Sequence, residues 1–147
     1  MKKLIAIAAA AAIVAMAGTA MAAGSADLDV TANITASCTV SGGTLAFGAL
    51  DPLTAPVVTQ TTNDVEVTCT NGTGYTLSTT GNKGTAGNLG TLNNGTSTIN
   101  YTISYTATGT GTGLPVAVPI TGTIAAGTYN TATPGSYTDT IEINVTP

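Results

Sequence analysis

From Ala26 to Val40 the chain reads "ADLDVTANITASCTV", and every second residue is apolar: Leu28, Val30, Ala32, Ile34, Ala36, Cys38 and Val40. The residues between them, Asp27, Asp29, Thr31, Asn33, Thr35, Ser37 and Thr39, are all polar. An alternation of period two places the two sets on opposite faces of a pleated strand. The stretch therefore predicts a two-faced β-strand whose apolar side must be covered, by its own domain or by another.

The same period recurs along the chain. "DVEVTCT" (64–70) turns Val65, Val67 and Cys69 inward, and "GYTLSTT" (74–80) turns Tyr75 and Leu77 inward. Asn71-Gly72 between them is a turn signal, so the two runs predict a hairpin. "TLAFGALDP" (44–52) predicts a short strand entering a turn at Asp51-Pro52, with Phe47 as a core plug. "STINYTISYTA" (97–107) is the best-formed run, with Ile99, Tyr101, Ile103 and Tyr105 on one face. "LPVAVPITGTI" (114–124) aligns Val116, Val118, Ile120 and Ile124, while Pro115 and Pro119 lack donors and predict an edge or a break. "TPGSYTDTIEINVTP" (133–147) turns at Pro134-Gly135 and points Tyr137, Ile141, Ile143 and Val145 inward. The Gly/Asn stretch 81–96 reads as a long loop with one short strand, and 108–113 as a flexible connection. Thr fills the polar phase throughout, as suits a sheet with one wet face. Six or seven strands at this spacing predict an all-β fold, an antiparallel sandwich of immunoglobulin-like design.

Residues 1–22 read as a secretory signal: Lys2 and Lys3, an apolar run from Leu4 to Ala17, and the small-residue site Ala20-Met21-Ala22. The apolar run is about 14 residues, short of the roughly 20 that span a bilayer, so no membrane insertion is expected after cleavage. Export places Cys38 and Cys69 in an oxidising compartment, which predicts a disulfide between them; two free buried thiols are the alternative. Closing a loop of about 31 residues would stabilise the fold by roughly 3–4 kcal/mol on the chain-entropy model.

Charge and inventory then exclude whole classes of function. Beyond the signal, Lys83 is the only basic side chain, against seven acidic ones, and there is neither Arg nor His. A nucleic-acid partner needs a basic footprint, and anionic lipid needs the same. General acid–base work wants a His or paired carboxylates, and the Ser residues have no base beside them, so no enzyme activity, catalytic residue, metal or cofactor is expected. Asp27 and Asp29 share a face, but calcium asks for about six or more oxygens, and a solvated strand edge is the plainer reading. Tyr101 and Tyr105 read as core rather than as a binding stripe.

Taken in order, "LDVTANITASCTVSGG", "LAFGAL", "VEVTCTNGTGYTLS", "INYTISYT", "VAVPITGTI" and "PGSYTDTIEINV" resemble the spore coat protein U domain family, which includes the pilins of archaic (Csu-type) chaperone–usher pili. The chain departs from the family pattern in having no Arg after the first Gly loop and no aromatic in 108–113. The resemblance implies an immunoglobulin-like sandwich that lacks one strand. A periplasmic chaperone lends that strand first; at the outer-membrane usher, the N-terminal segment of the next subunit replaces it. It also implies a division into a signal (1–22), a donor segment (23–37) and a pilin domain (38–147). Leu28, Val30, Ala32 and Ile34 would then be the plugs that fill the groove of an identical or related subunit, in a cell-surface fibre for adhesion and biofilm. The competing reading keeps this strand at home, in a monomeric secreted coat or carbohydrate-binding sandwich.

Overall fold

The computed structural model describes residues 24–84 and 88–147; the expected signal, 1–22, lies outside the described residues. The chain divides into two compact units, Met1–Ala32 and Asn33–Pro147. In the first, residues 24–32 form no strand.

In the second unit, ten strands are formed among the described residues. They are β1 (Cys38–Val40), β2 (Val58–Thr62), β3 (Glu66–Cys69), β4 (Gly74–Thr79), β5 (Gly90–Asn93), β6 (Thr98–Ser104), β7 (Thr108–Thr110), β8 (Val116–Ala117), β9 (Ile120–Ile124) and β10 (Ile143–Thr146). They build three sheets with the orders β1-β3-β8, β10-β4-β7 and β2-β9-β6-β5. Every pairing is antiparallel. The fold is thus all-β and of immunoglobulin-like design, with one disulfide joining Cys38 to Cys69. These two residues sit directly opposite each other in the β1–β3 register, so the bond staples the first strand to the core.

Two cores result. Val65, Val67 and Cys69 meet Tyr75, Leu77, Val118 and Ile120 in one. Ile99, Tyr101 and Ile124 meet Ala55 and Tyr129 in the other, beneath the four-stranded sheet. Tyr129 is buried there because its hydroxyl donates to the Pro56 carbonyl at 2.8 Å, so no polar atom is left bare.

Several expectations need correcting. The alternation over Ala26–Val40 yields a strand only at Cys38–Val40, since residues 24–37 form no ladder. Thr44–Pro52 is not a strand either, although Phe47 does lean on the core, edge-on to Tyr101 with ring centres 5.7 Å apart. The runs 64–70 and 74–80 do not pair as a hairpin. β3 lies in one sheet and β4 in another, and their apolar residues face each other across a shared core. The turn at Asn71-Gly72 is real, but it changes sheets.

The partner that displaces the hairpin is the stretch expected to be a flexible connection. Thr108–Thr110 is a strand paired with β4, and its continuation clasps the turn. Gly72 N donates to Gly111 O at 2.9 Å, Gly111 N to Thr73 O at 2.7 Å, and Gly113 N to Cys69 O at 3.0 Å. A Cβ at Gly111 would stand 2.5 Å from the Thr70 carbonyl oxygen, so only glycine admits this approach. The expected break near Pro119 is present: β8 and β9 belong to different sheets.

Candidate functional site

Two segments of the second unit carry apolar residues without a regular ladder. The first runs from Ser41 to Val57. It is pressed onto the body by close approaches: a Cβ at Gly43 would lie 2.6 Å from the Cβ of Asp64, and Leu45 and Phe47 cover the bare backbone at Gly122 of β9. The second runs from Pro134 to Glu142. Its ladder contact is a single bridge in which Thr138 and Asn93 exchange backbone hydrogen bonds of 3.1 and 3.0 Å. Further on, Thr80 N donates to Glu142 O at 3.0 Å before β10 begins.

Between these segments lies an apolar trough. One part, of about 500 Å³, has Val40, Leu45 and Phe47 on one wall and Ile141 and Ile143 on the other, over a floor that includes Val65 and Ile120. The other, of about 690 Å³, shares Leu45, Phe47 and Leu92 and extends to Tyr129 and Tyr137. Val40, Leu45, Phe47, Ile141 and Ile143 along the walls are all half-buried.

One polar group stands in the first part. The Asp139 carboxylate accepts from the Lys83 ammonium, from the Tyr101 hydroxyl at 2.9 Å, and from the backbone amides of Thr91 at 3.0 Å and Thr140 at 2.8 Å. Lys83 also donates to the Thr140 carbonyl at 2.9 Å. Burial pushes the Asp139 carboxyl up, but the bonds from Lys83, Tyr101, Thr91 and Thr140 outweigh it and hold the group below the usual carboxylate range. Burial first, then the bond to Asp139 and its charge, pushes the Tyr101 hydroxyl well above the ordinary tyrosine range. At the far end, Tyr137, Ser97 and Thr133 form a hydroxyl cluster, with Tyr137 donating to the Thr133 carbonyl at 2.8 Å.

The residues singled out in the sequence are placed as follows. Cys38 and Cys69 are joined. Leu28, Val30 and Ile34 are 85%, 84% and 83% exposed, and Ala32 is exposed as well. Tyr101 is buried and Tyr105 is half-buried against the first core. Among the described residues, no group of three or more His, Cys, Asp or Glu side chains comes together as a metal site.

Sequence reasoning missed the Asp139 network. The signal was present: 139 falls on the inward phase of Tyr137, Ile141, Ile143 and Val145, where an acid is out of place, and Lys83 is the only basic residue beyond Lys3.

Comparison with known proteins adds the following. In a solved structure of a chaperone–tip adhesion subunit pre-assembly complex, from archaic chaperone–usher Csu pili of Acinetobacter baumannii, one chain is similar at 18% identity with a TM-score of 0.44. The match covers 76% of this chain and only 40% of that one. No curated protein sequence matches. The profile of the Spore Coat Protein U domain matches residues 25–144, which takes in the trough, both cysteines and the exposed N-terminal alternation. By that match, the chain belongs to the Spore Coat Protein U domain family.

Proposed function

We propose that this protein is a structural pilin subunit that polymerises by exchanging strands. Residues 23–37 are the donor segment and 38–147 the body that accepts. The observation that carries this reading is a complementary pair within one sequence: an alternating apolar segment whose Leu28, Val30 and Ile34 are bare, and an apolar trough lined by Val40 of β1 and Ile143 of β10, each the edge strand of its sheet. The resemblance to archaic pilins supports it.

The physical logic is strand addition. A strand laid between the walls satisfies open backbone groups on both sides, and its alternate side chains set the register. Burying Leu28, Val30 and Ile34 would contribute about 1.5–3 kcal/mol each, with Ala32 filling a shallower position. Since each copy gives one strand and receives another, the contact is head-to-tail and does not close, so it propagates as a fibre. The same trough would first take a strand from a periplasmic chaperone, and the exchange for a subunit's strand would occur at an outer-membrane usher. The product is a cell-surface filament serving attachment and biofilm.

The test is deletion of residues 24–35. Wild-type material run on a denaturing gel without boiling should give a ladder, and the deletion should give a single low band while still reaching the periplasm. A ladder that survives the deletion overturns the donor assignment. A single band from the wild type, with its chaperone and usher co-expressed, favours the monomeric secreted sandwich.

A further inference from the structure

The trough's second wall has a weakness that its sequence repairs in an unusual way. Between the Thr138 bridge and the start of β10 at Ile143, no ladder holds the backbone, yet Ile141 lines the same open cavity as Leu45 and Phe47. Apolar walls this close gain by collapsing onto each other. What spans the unladdered stretch is Asp139. Its side chain is 11% exposed and is tied to three separate elements: Lys83 in the turn after β4, the Thr91 amide of β5, and the Tyr101 hydroxyl of β6. A carboxylate this far from water is tolerated only when paired and fully hydrogen-bonded, and the same bonds fix where its backbone can lie.

We propose that Asp139 is the positioning residue that holds this wall open, so that uptake of an incoming strand depends on its carboxylate. The proposal rests on the reading of the trough as a strand acceptor. An apolar residue at 139 would match the inward phase but would make none of the bonds that tie this stretch to the turn, β5 and β6. The titratable or charged groups facing the carboxylate are Lys83 from the turn and Tyr101 from β6; β5 contributes only the Thr91 amide. Because these bonds hold the carboxyl below its usual range, the wall is fully held at neutral pH. It is released as pH falls through that lowered value.

The experiment uses the full chain expressed with its leader and a labelled peptide of residues 24–37. Uptake of the peptide and amide exchange at residues 139–142 are measured for wild type, Asp139→Asn and Asp139→Glu. Asp139→Asn should reduce uptake by about tenfold or more, the factor for each 1.4 kcal/mol. Its amides at 139–142 should exchange faster while those of β6 and β9 do not. Asp139→Glu should recover part of the uptake. Wild-type uptake should fall in acid, and the Asp139→Asn profile should stay flat. Wild-type uptake by Asp139→Asn, or unchanged exchange at 139–142, overturns the proposal. Should the wild type take up no peptide, the acceptor reading fails, and exchange alone decides the wall: equal protection in Asp139→Asn refutes the role, and selective loss supports it. If the β6 and β9 amides also lose protection in Asp139→Asn, Lys83→Met is read in its place. It keeps the carboxylate but removes its cation, so the acid loss of uptake should begin at higher pH than in the wild type, and an acid profile identical to the wild type's overturns the proposal.

Discussion

The four-stranded sheet and the trough walls are built from the same kind of sequence, yet they end in different states. In the sheet, β9 has β2 on one side and β6 on the other, and β6 has β9 and β5. Its inward residues Ile99 and Ile124 are almost entirely sealed, Ile124 at 0% exposure. In the walls, Leu45, Phe47, Ile141 and Ile143 are as apolar and as regularly spaced, and they remain half-buried. In the N-terminal alternation, Leu28 and Val30 are bare. What separates the three is the number of backbone neighbours, not side-chain chemistry. Alternation says that a face wants covering; only the ladder says whether it has been covered.

The largest effect that would break this comparison is on assembly. Ile34→Asp places a charge at a position that is 83% exposed in this chain, so the thermal midpoint of the monomer should not move. In a neighbour's trough the same charge would be buried without a partner, at a cost of several kcal/mol. The ladder on an unboiled gel should disappear. A monomer that is itself destabilised by Ile34→Asp would mean that the segment is covered at home, and the contrast between walls and sheet would lose its meaning.

Next in size is a matched pair of truncations. Ile124→Ala empties a sealed site and should lower the unfolding free energy by about 2–5 kcal/mol in a denaturant titration. Ile141→Ala trims a half-buried wall and should lower it by about 1 kcal/mol, near the ordinary cost of a single substitution. On peptide uptake the order should reverse, with Ile141→Ala the more damaging of the two. Equal stability losses would show that the wall is packed as tightly as the sheet.

The sequence made much of this legible, and the failures share a cause. Many inward residues were readable from the period: Val65, Val67, Cys69, Tyr75, Leu77, Ile99, Tyr101, Ile120 and Ile124 are buried, while Ile103 and Tyr105, in the same run as Ile99 and Tyr101, are half-buried. The disulfide followed from export and count. What periodicity does not encode is who pairs with whom. Val67 and Leu77 look like hairpin neighbours from a turn signal, yet they meet face to face across a core. Thr108–Thr110 has no apolar residue to announce a strand; it pairs through backbone alone, and a Cβ at Gly109 would strike the Tyr75 ring. The trough was invisible as a set of residues because its walls come from chain segments about 90 positions apart, and an opening between two segments has no signature in either.

The polar side of the trough gives a smaller effect, read with pH. Tyr101 has a folded-state value above its unfolded one, so its contribution is complete below the usual tyrosine range and is lost as pH rises past it toward the raised value. The unfolding midpoint of the wild type should fall on the alkaline side, and Tyr101→Phe should flatten that limb. A four-stranded sheet without this hydroxyl predicts no such limb. An identical alkaline loss in Tyr101→Phe would assign the effect to the other tyrosines and leave the wall with one anchor fewer.

The smallest effect distinguishes ladders from side-chain ties most directly. On the outer face of the sheet, Thr61 and Thr121 share a hydroxyl hydrogen bond of 2.9 Å across β2 and β9. Cross-strand pairs of this kind are worth about 0.2–1 kcal/mol, and valine's own preference for strands offsets the loss in Thr61→Val. Its net change should stay within about 0.5 kcal/mol, because the β2–β9 ladder carries the pairing regardless. Thr80 is also exposed, but its hydroxyl bonds the Glu142 carboxylate at 2.7 Å and the Asn144 amide at 2.9 Å, next to the wall that lacks a ladder. There the hydroxyl stands in for missing backbone bonds, so Thr80→Val should cost more, about 1 kcal/mol, the usual worth of a hydrogen bond. Amides at 140–142 should also exchange faster in that variant. If Thr61→Val and Thr80→Val shift the denaturation midpoint equally, side-chain hydrogen bonds do the same work on both surfaces, and the wall owes its position to packing alone.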